Sequence, residues 1–372
     1  LLNDKKSTLI FFKLNNNEMI MIDPELIQVR KDEILNINSL KLYLTELFEK
    51  DLNNFKLMQF GGGHANLTYL VSFNDEEYVL RRPPIGPIAP SSHDMSREHK
   101  VQKSINKLFP LAPKSLHFCE DISILGIQFH IIERRNGYVI RKFFPSFVNV
   151  DKKYVDSLTF NSIDVLASLH LIDPSEVGLE NLGKPDGFVE RQLNGWEDRW
   201  KKSSNSYELS IVFDKLILNL RKQIPKPQHA SILHNDFKWD NIMWSFEDIS
   251  EPVALFDWDM CTLGDPLCDL GSLLSYWCTT SDPVFFQKAA SMPIDDRFYS
   301  REQLVLQYSE MTGFDISNIR FYHVLGLYRL IGIAAQIYIR FLRGQTQDKR
   351  FAIFGDMINL VSEYGVELIS DA

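Results

Sequence analysis

The chain has 372 residues, a formal net charge of −9 and 26 phenylalanines. That length suits roughly two domains, and the aromatic load excludes a disordered polymer. The acidic balance argues against a nucleic-acid partner, which needs a basic face, although a few local cations suffice for one nucleotide.

Cys119, Cys261, Cys268 and Cys278 form no C-x-x-C pair, so a zinc site is not expected. Four buried thiols fit a reducing, cytoplasmic setting. Residues 1–23 read as a flexible N-terminal extension: "KLNNNEMIMID" is a polar tract, and the natural start is expected near Met19 or Met21. The run "TLIFFKL" after Lys5 and Lys6 is too short for a signal peptide, with no small-residue cleavage site behind it.

In "RKDEILNINSLKLYLTELF", Ile34, Leu35, Leu40, Leu42, Leu44 and Leu47 recur at roughly helical spacing. "FKLMQFGGGHANLTYLVSFNDEEYVLRRPP" predicts two strands, a glycine turn, a third strand, an acidic hairpin turn and a fourth strand ended by Pro83-Pro84. A Pro-rich loop and a helix follow, with Ser96 as N-cap and Glu98 in the first turn. "ILGIQFHIIERRNGYVI" adds one or two strands, closing at Asn136-Gly137. Beyond it the periodicity is helical, broken by short strands around "ILHNDFKWDNIMW" and "EPVALFDWDMCTLGDPLCDLGSLLSYW". The apolar stretch from Phe321 to Phe341 is interrupted by Arg329 and Arg340, so it reads as a buried helix, not a membrane span of about 20 residues. The outline is α+β: an N-lobe at 24–132, a hinge at 133–137 and a larger helical C-lobe at 138–372.

Transfer of a phosphoryl group between oxygens needs a group that receives or orients the attacking hydroxyl, a way to hold Mg²⁺, and donors around the phosphates. The stretch at 232–244 offers Asp236 for the hydroxyl, Lys238 for the transferring phosphate, and Asn241 with an amide oxygen on the metal side of the same loop. His234 is expected to brace the loop, and Asp240 to act as a supporting partner or turn cap. The apolar strand at 253–256 ends in Asp257, well placed to hold a metal that bridges phosphates, and Asp259 shares its face if the chain stays extended. Asp269, beyond a turn at Gly264, reads as structural, satisfying backbone donors. In "FGGGHANLTYLV", Gly61, Gly62 and Gly63 permit a tight turn whose N–H groups face phosphate, with His64 and Asn66 beside them. Arg81 ends the next strand and Glu98 lies on the next helix, a cation–acid pair of the kind that orients nucleotide phosphates.

At this point "HNDFKWDN" with "LFDWD" resembles the catalytic and metal motifs of the aminoglycoside phosphotransferase/choline kinase family, relatives of protein kinases. More narrowly, "GGGHANLTYLV", "YVLRRPPIGPIAPSSHDMSRE", "LHLIDPSEVGLENLGKPDGFVERQLNGWEDRW" and "RGQTQDKRF" resemble the phosphotransferase-like domain of acyl-CoA dehydrogenase family members 10 and 11 and its free-standing bacterial relatives, over about residues 34–360. The resemblance implies a two-lobed protein-kinase-like fold, ATP or GTP in the cleft, and Mg²⁺. It makes Asp236 the base, Asn241 and Asp257 metal ligands, Arg81 and Glu98 the cation–acid pair, and Glu133 to Arg135 the hinge that meets the adenine. Its link to acyl-CoA dehydrogenases implies a hydroxy acid or hydroxyacyl-CoA as the small-molecule acceptor. Arg191, Arg199, Arg329, Arg340, Arg343 and Lys349 are candidates to meet its carboxylate or CoA phosphate, or else ordinary surface charges and internal ion pairs. Kinases usually carry Lys where Arg81 stands, which keeps a nucleotide-binding pseudokinase or scaffold as the alternative. A protein kinase is disfavoured, because "DWD" replaces Asp-Phe-Gly and no Ala-Pro-Glu segment follows. The oligomeric state is not legible.

Overall fold

The computed structural model describes residues 10–13, 19–22, 25–61, 66–84, 94–204, 211–346 and 349–370. Within the stretch read as a flexible extension, β1 (Ile10–Lys13) and β2 (Met19–Ile22) pair antiparallel. Their apolar sequences, IFFK and MIMI, suit a pleated ribbon.

The N-lobe is a six-stranded antiparallel sheet. Its strands are β3 (Leu26–Ile27), β4 (Lys56–Phe60), β5 (Leu67–Phe73), β6 (Glu76–Arg82), β7 (Ser115–Cys119) and β8 (Phe129–Glu133), in the order β3-β4-β5-β6-β8-β7. Only β4 precedes the glycines where two strands were expected, because its five residues fill the interval. The acidic turn forms between β5 and β6, with Asn74 and Asp75 at φ 51° and 62°, the left-handed pair that a tight hairpin requires. β7 was not anticipated. It is a short edge strand whose residues are mostly half-exposed, so it lacks a strong apolar signal.

Three helices flank this sheet: α1 (Ile37–Phe48), α2 (Met95–Ile105) and the single turn α3 (Ile122–Leu125). Leu40 and Leu44 of α1 pack on Tyr69, Val71, Leu80 and Phe129, whereas Ile34 precedes the helix and Leu42 faces solvent. Side chains alternate along β6. Leu80 therefore joins the α1 core, and Arg81 points to the opposite face, towards α2. The N-cap of α2 is Asp94, whose carboxylate accepts from Arg97 N at 3.0 Å. Ser96 lies inside the helix, two positions past the cap.

The C-lobe adds α4 (Lys152–His170), α5 (Phe188–Ser204), α6 (Ile211–Lys222), α7 (Leu267–Tyr276), α8 (Val284–Ala289), α9 (Arg301–Thr312), α10 (Ile319–Leu342) and α11 (Phe354–Ser370). Five short strands are set among them: β9 (Tyr138–Val139), β10 (Ser231–Leu233), β11 (Ile242–Trp244), β12 (Pro252–Leu255) and β13 (Thr262–Gly264). Among the described residues, α10 is the one helix long and apolar enough to cross a membrane by length and composition, and half of its most apolar window is buried in this lobe. It crosses α7 where Gly271 and Gly326 meet; a Cβ on either would strike the other helix's backbone. Gly264 ends β13 instead of making the expected turn. A Cβ there would press on Leu233 and Phe188 at 2.8 Å, so close packing is what requires a glycine.

Candidate active site

Four short strands bring two loops together. β10 pairs with β13 (Leu233 opposite Thr262) and β11 pairs with β12 (Ile242 opposite Leu255). The loop after β10 carries Asp236, and the loop after β12 carries Asp257. His234 is fully buried between them: its Nε2 donates to Phe256 O at 2.8 Å, and its Nδ1 accepts from Asp236 N at 3.3 Å. A neutral imidazole protonated on Nε2 makes both bonds. Burial favours that form by lowering the His234 pKa, against the pull of Asp269 and Asp236. Phe256 N in turn donates to Asn241 O at 2.8 Å. The expected structural role of Asp269 is visible: from α7 its carboxylate accepts from His234 N at 2.7 Å and Asn235 N at 2.9 Å. This fixes a strained segment, since Asn235 is left-handed at φ 62°.

Asp236 is held by two side chains of its own loop. Lys238 Nζ donates to Oδ2 at 2.9 Å, and Asn241 Nδ2 donates to the Asp236 carbonyl at 2.8 Å and to Oδ2 at 3.2 Å. Burial works against the Lys238 charge, but Asp236 outweighs it and raises the ammonium pKa. Asp240 has a buried Oδ1 with no hydrogen-bond partner, and burial raises its pKa. It does not cap the short turn at Trp239–Asn241, whose N-cap is Lys238.

Asp257 faces the N-lobe. Its backbone is left-handed, φ 72° and ψ 61°, and its Oδ1 accepts from Arg81 at 2.8 Å. The other edge of that guanidinium lies 2.9 Å from Glu98 Oε1. Thus Arg81, from a β-strand, bridges an acid on α2 and an acid on the C-lobe. Burial alone would raise the Asp257 carboxyl, but the guanidinium outweighs it and holds the pKa below the usual range. Burial pushes Glu98 up to about 7, against the opposing pull of Arg81. Asp259, two residues on, accepts from Asn66 Nδ2 at 3.1 Å, so the glycine-loop strand also reaches this cluster.

Other expected positions lie elsewhere. Gly62, Gly63 and His64 fall outside the described residues. Gly61 does not offer its amide to phosphate: Gly61 N bonds Glu25 O at 2.7 Å, and its own carbonyl accepts from Arg30 at 3.0 Å. Glu133 and Arg135 turn their side chains into the junction between lobes. Glu133 accepts from Lys114 N at 2.6 Å, while Arg135 donates to Glu133, to Pro110 O at 2.8 Å and to Val253 O at 3.3 Å. Sequence reasoning missed Arg97, which ties α2 to the C-lobe carbonyls of Cys261 at 3.0 Å and Leu182 at 3.3 Å. Among the cations named as candidates to meet an acceptor, Arg191 closes on the carbonyls of Lys184 and Asp186, whereas Arg329 reaches the Asp236 loop.

The donor set suits a hard divalent cation. Asp257, Asp259 and the Asn241 amide supply oxygens only, and Asn241 spends its N–H₂ on Asp236, so Oδ1 is its remaining polar atom. Among the described residues there is no cage of three or more His, Cys, Asp or Glu. Mg²⁺ needs none, because it keeps waters and takes one or two carboxylates plus phosphate oxygens.

Residues 56–297 match the profile of the phosphotransferase enzyme family. Acyl-CoA dehydrogenase family member 11 of Rattus norvegicus is 28% identical over 356 residues, covering 92% of this chain and 44% of that protein. The chain therefore spans under half the length of this relative. A solved structure from Ralstonia eutropha, provisionally named an aminoglycoside phosphotransferase, superposes with a TM-score of 0.76 at 24% identity, covering 91% of this chain and 99% of that one. A thermostable mutant of aminoglycoside phosphotransferase APH(4)-Ia, solved with ADP and hygromycin B, superposes with a TM-score of 0.54 at 15% identity, covering 89% and 98%. These likenesses establish the kinase-like fold.

Proposed function

The chain belongs to the phosphotransferase enzyme family, and on that premise we propose that it is a magnesium-dependent small-molecule kinase moving the γ-phosphoryl group of ATP or GTP to a hydroxyl of a hydroxy acid or hydroxyacyl-CoA. One observation carries this reading. The Asp236 and Asp257 loops are locked together through His234, Phe256 and Asn241, while Arg81 joins Asp257 to Glu98. The acceptor class draws on the acyl-CoA dehydrogenase names of the relatives, and nucleotide use on the ADP complex of a neighbouring fold.

In this mechanism Asp236 accepts the hydroxyl proton as the acceptor oxygen bonds to the γ-phosphorus. The bond from that phosphorus to the β-bridging oxygen breaks, and the nucleoside diphosphate leaves. Lys238 meets the charge on the transferring group, and Arg81, braced by Glu98, holds the nucleotide phosphates. Asn241, Asp257 and Asp259 are the residues that would hold Mg²⁺, which supplies neutralisation of phosphate charge.

The test is phosphate transfer from labelled ATP and GTP to a panel of hydroxy acids and hydroxyacyl-CoAs. Asp236→Ala should abolish turnover and leave the nucleotide-induced thermal shift intact; undiminished turnover refutes the assigned base. A second reading, nucleotide binding without turnover, has one observation in its favour: Arg81 is already engaged by two carboxylates. A nucleotide shift with no transfer to any acceptor would select it.

A further inference from the structure

Arg329 and Gly332 sit three residues apart on α10 and so share a face. Gly332 makes room for Trp196: a Cβ there would lie 2.7 Å from the indole Cε3. Two guanidinium groups flank this indole, Arg199 at 4.6 Å and Arg329 at 6.0 Å from its centroid. Arg329 is the more enclosed of the two, with 12% of its side chain exposed. It donates to Asn235 Oδ1 at 3.2 Å and lies 3.8 Å from both Asp236 Oδ1 and Met260 Sδ. Its Nε is buried with no hydrogen-bond partner.

The two oxygens of Asp236 are unequal. Oδ2 already receives Lys238 and Asn241. Among the described residues Oδ1 has only the 3.8 Å approach of Arg329, too long for a hydrogen bond. The oxygen left for an incoming hydroxyl is therefore the one beside a guanidinium with donors to spare. Lys238 and Arg329 both approach Asp236, and Arg329 is the cation on the Oδ1 side, where an anionic group of the acceptor would find its partner.

We propose that Arg329 is a positioning and specificity-determining residue on the acceptor side. It binds a carboxylate or similar oxygen anion of the acceptor, thereby setting the reacting hydroxyl on Asp236 Oδ1. This rests on the kinase reading above. The planar fork of Arg matches a carboxylate in a way that Lys does not.

The test uses the full chain loaded with ADP and Mg²⁺. Hydroxy acids of three to six carbons, their methyl esters and hygromycin B are titrated by calorimetry, and KM and kcat are measured wherever transfer occurs. Wild type should bind the best acid about tenfold or more tightly than its ester, as expected for a charge-assisted hydrogen bond. Arg329→Gln should erase that difference and leave the ADP affinity within about twofold; Arg329→Lys should restore part of it. Melting temperatures of both variants show whether they are folded. Persistence of the acid preference in Arg329→Gln, absence of acid binding by wild type, or tighter binding of hygromycin B would each overturn the assignment. The kinase reading fails differently, by absence of nucleotide binding or by nucleotide binding with no transfer to any acceptor.

Discussion

Arg81 Nε lies 2.9 Å from Glu98 Oε1, and only 1% of the Glu98 side chain is exposed. Glu98→Ala takes one of two carboxylates from a buried guanidinium that Asp257 still holds, so it should lower the free energy of unfolding by about 1–3 kcal/mol, measured by urea denaturation. Arg81→Lys should also destabilise, because an ammonium cannot fork between Glu98 and Asp257 as a guanidinium does. Unchanged urea midpoints in both variants would show that this pair does not hold the lobes' shared face.

Asp269 serves two backbone donors in the loop that carries Asp236. In Asp269→Ala both N–H groups lose their acceptor, at about 1–3 kcal/mol each. The loop should also shift, and a displacement of about 1 Å near the chemistry costs on the order of 10²-fold in rate. Turnover should fall by that order while the enzyme remains folded at low temperature. A variant with lowered stability but full kcat would separate the loop's fold from its function.

His323 on α10 is buried, and its Nε2 has no hydrogen-bond partner. Burial lowers its pKa to about 3, with Arg301 assisting and Asp282 opposing. The unfolded chain takes up a proton near the ordinary value of about 6.5, well before the folded chain does. Stability should therefore be lost as pH falls below about 6.5, by roughly 2 kcal/mol at pH 5. His323→Gln should flatten that slope in urea titrations at pH 7.5 and 5. An equal slope in the two proteins would contradict the buried neutral state.

Two glycines separate space from conformation. A Cβ at Gly326 would lie 2.5 Å from Gly271 O, inside a helix crossing that has no slack. Gly326→Ala should cost about 3 kcal/mol or more through overpacking. Gly313 has open space around it but a φ of 72°. Gly313→Ala should cost only about 1–2 kcal/mol, the strain of a left-handed backbone. Thermal unfolding of the pair checks the order, and a reversed order would be inconsistent with the α7–α10 packing.

The sequence exposed those parts of the site that lie close together along the chain. The spacing from Asp236 to Asn241 fits within one loop, and the strand end at Asp257 is marked by the apolar residues before it. The alternation in β6 puts Arg81 on the face away from the α1 core, where Glu98 meets it. What stayed hidden depends on tertiary partners. Gly61 looked like a phosphate cradle because three glycines permit one, yet its N–H is taken by Glu25, 36 residues earlier. Ser96 and Asp94 are both good caps by residue type, and the structure places Asp94 at the extended residue before the first turn. Arg329 looked like one of several cations on the helical lobe; its reach to a loop 94 positions away is visible only after α10 has packed.

The backbone at Asp257, φ 72° and ψ 61°, restricts which acid the position accepts. Among residues with a Cβ, Asn and Asp tolerate this basin best. Glutamate would keep the charge but lose that tolerance, so the carboxylate's arm cannot be lengthened without bending the main chain. Asn at 257 preserves the bend and deletes the charge, while Gly preserves the bend and deletes the arm. The fold thus provides its own pair of controls for asking what that one negative charge contributes.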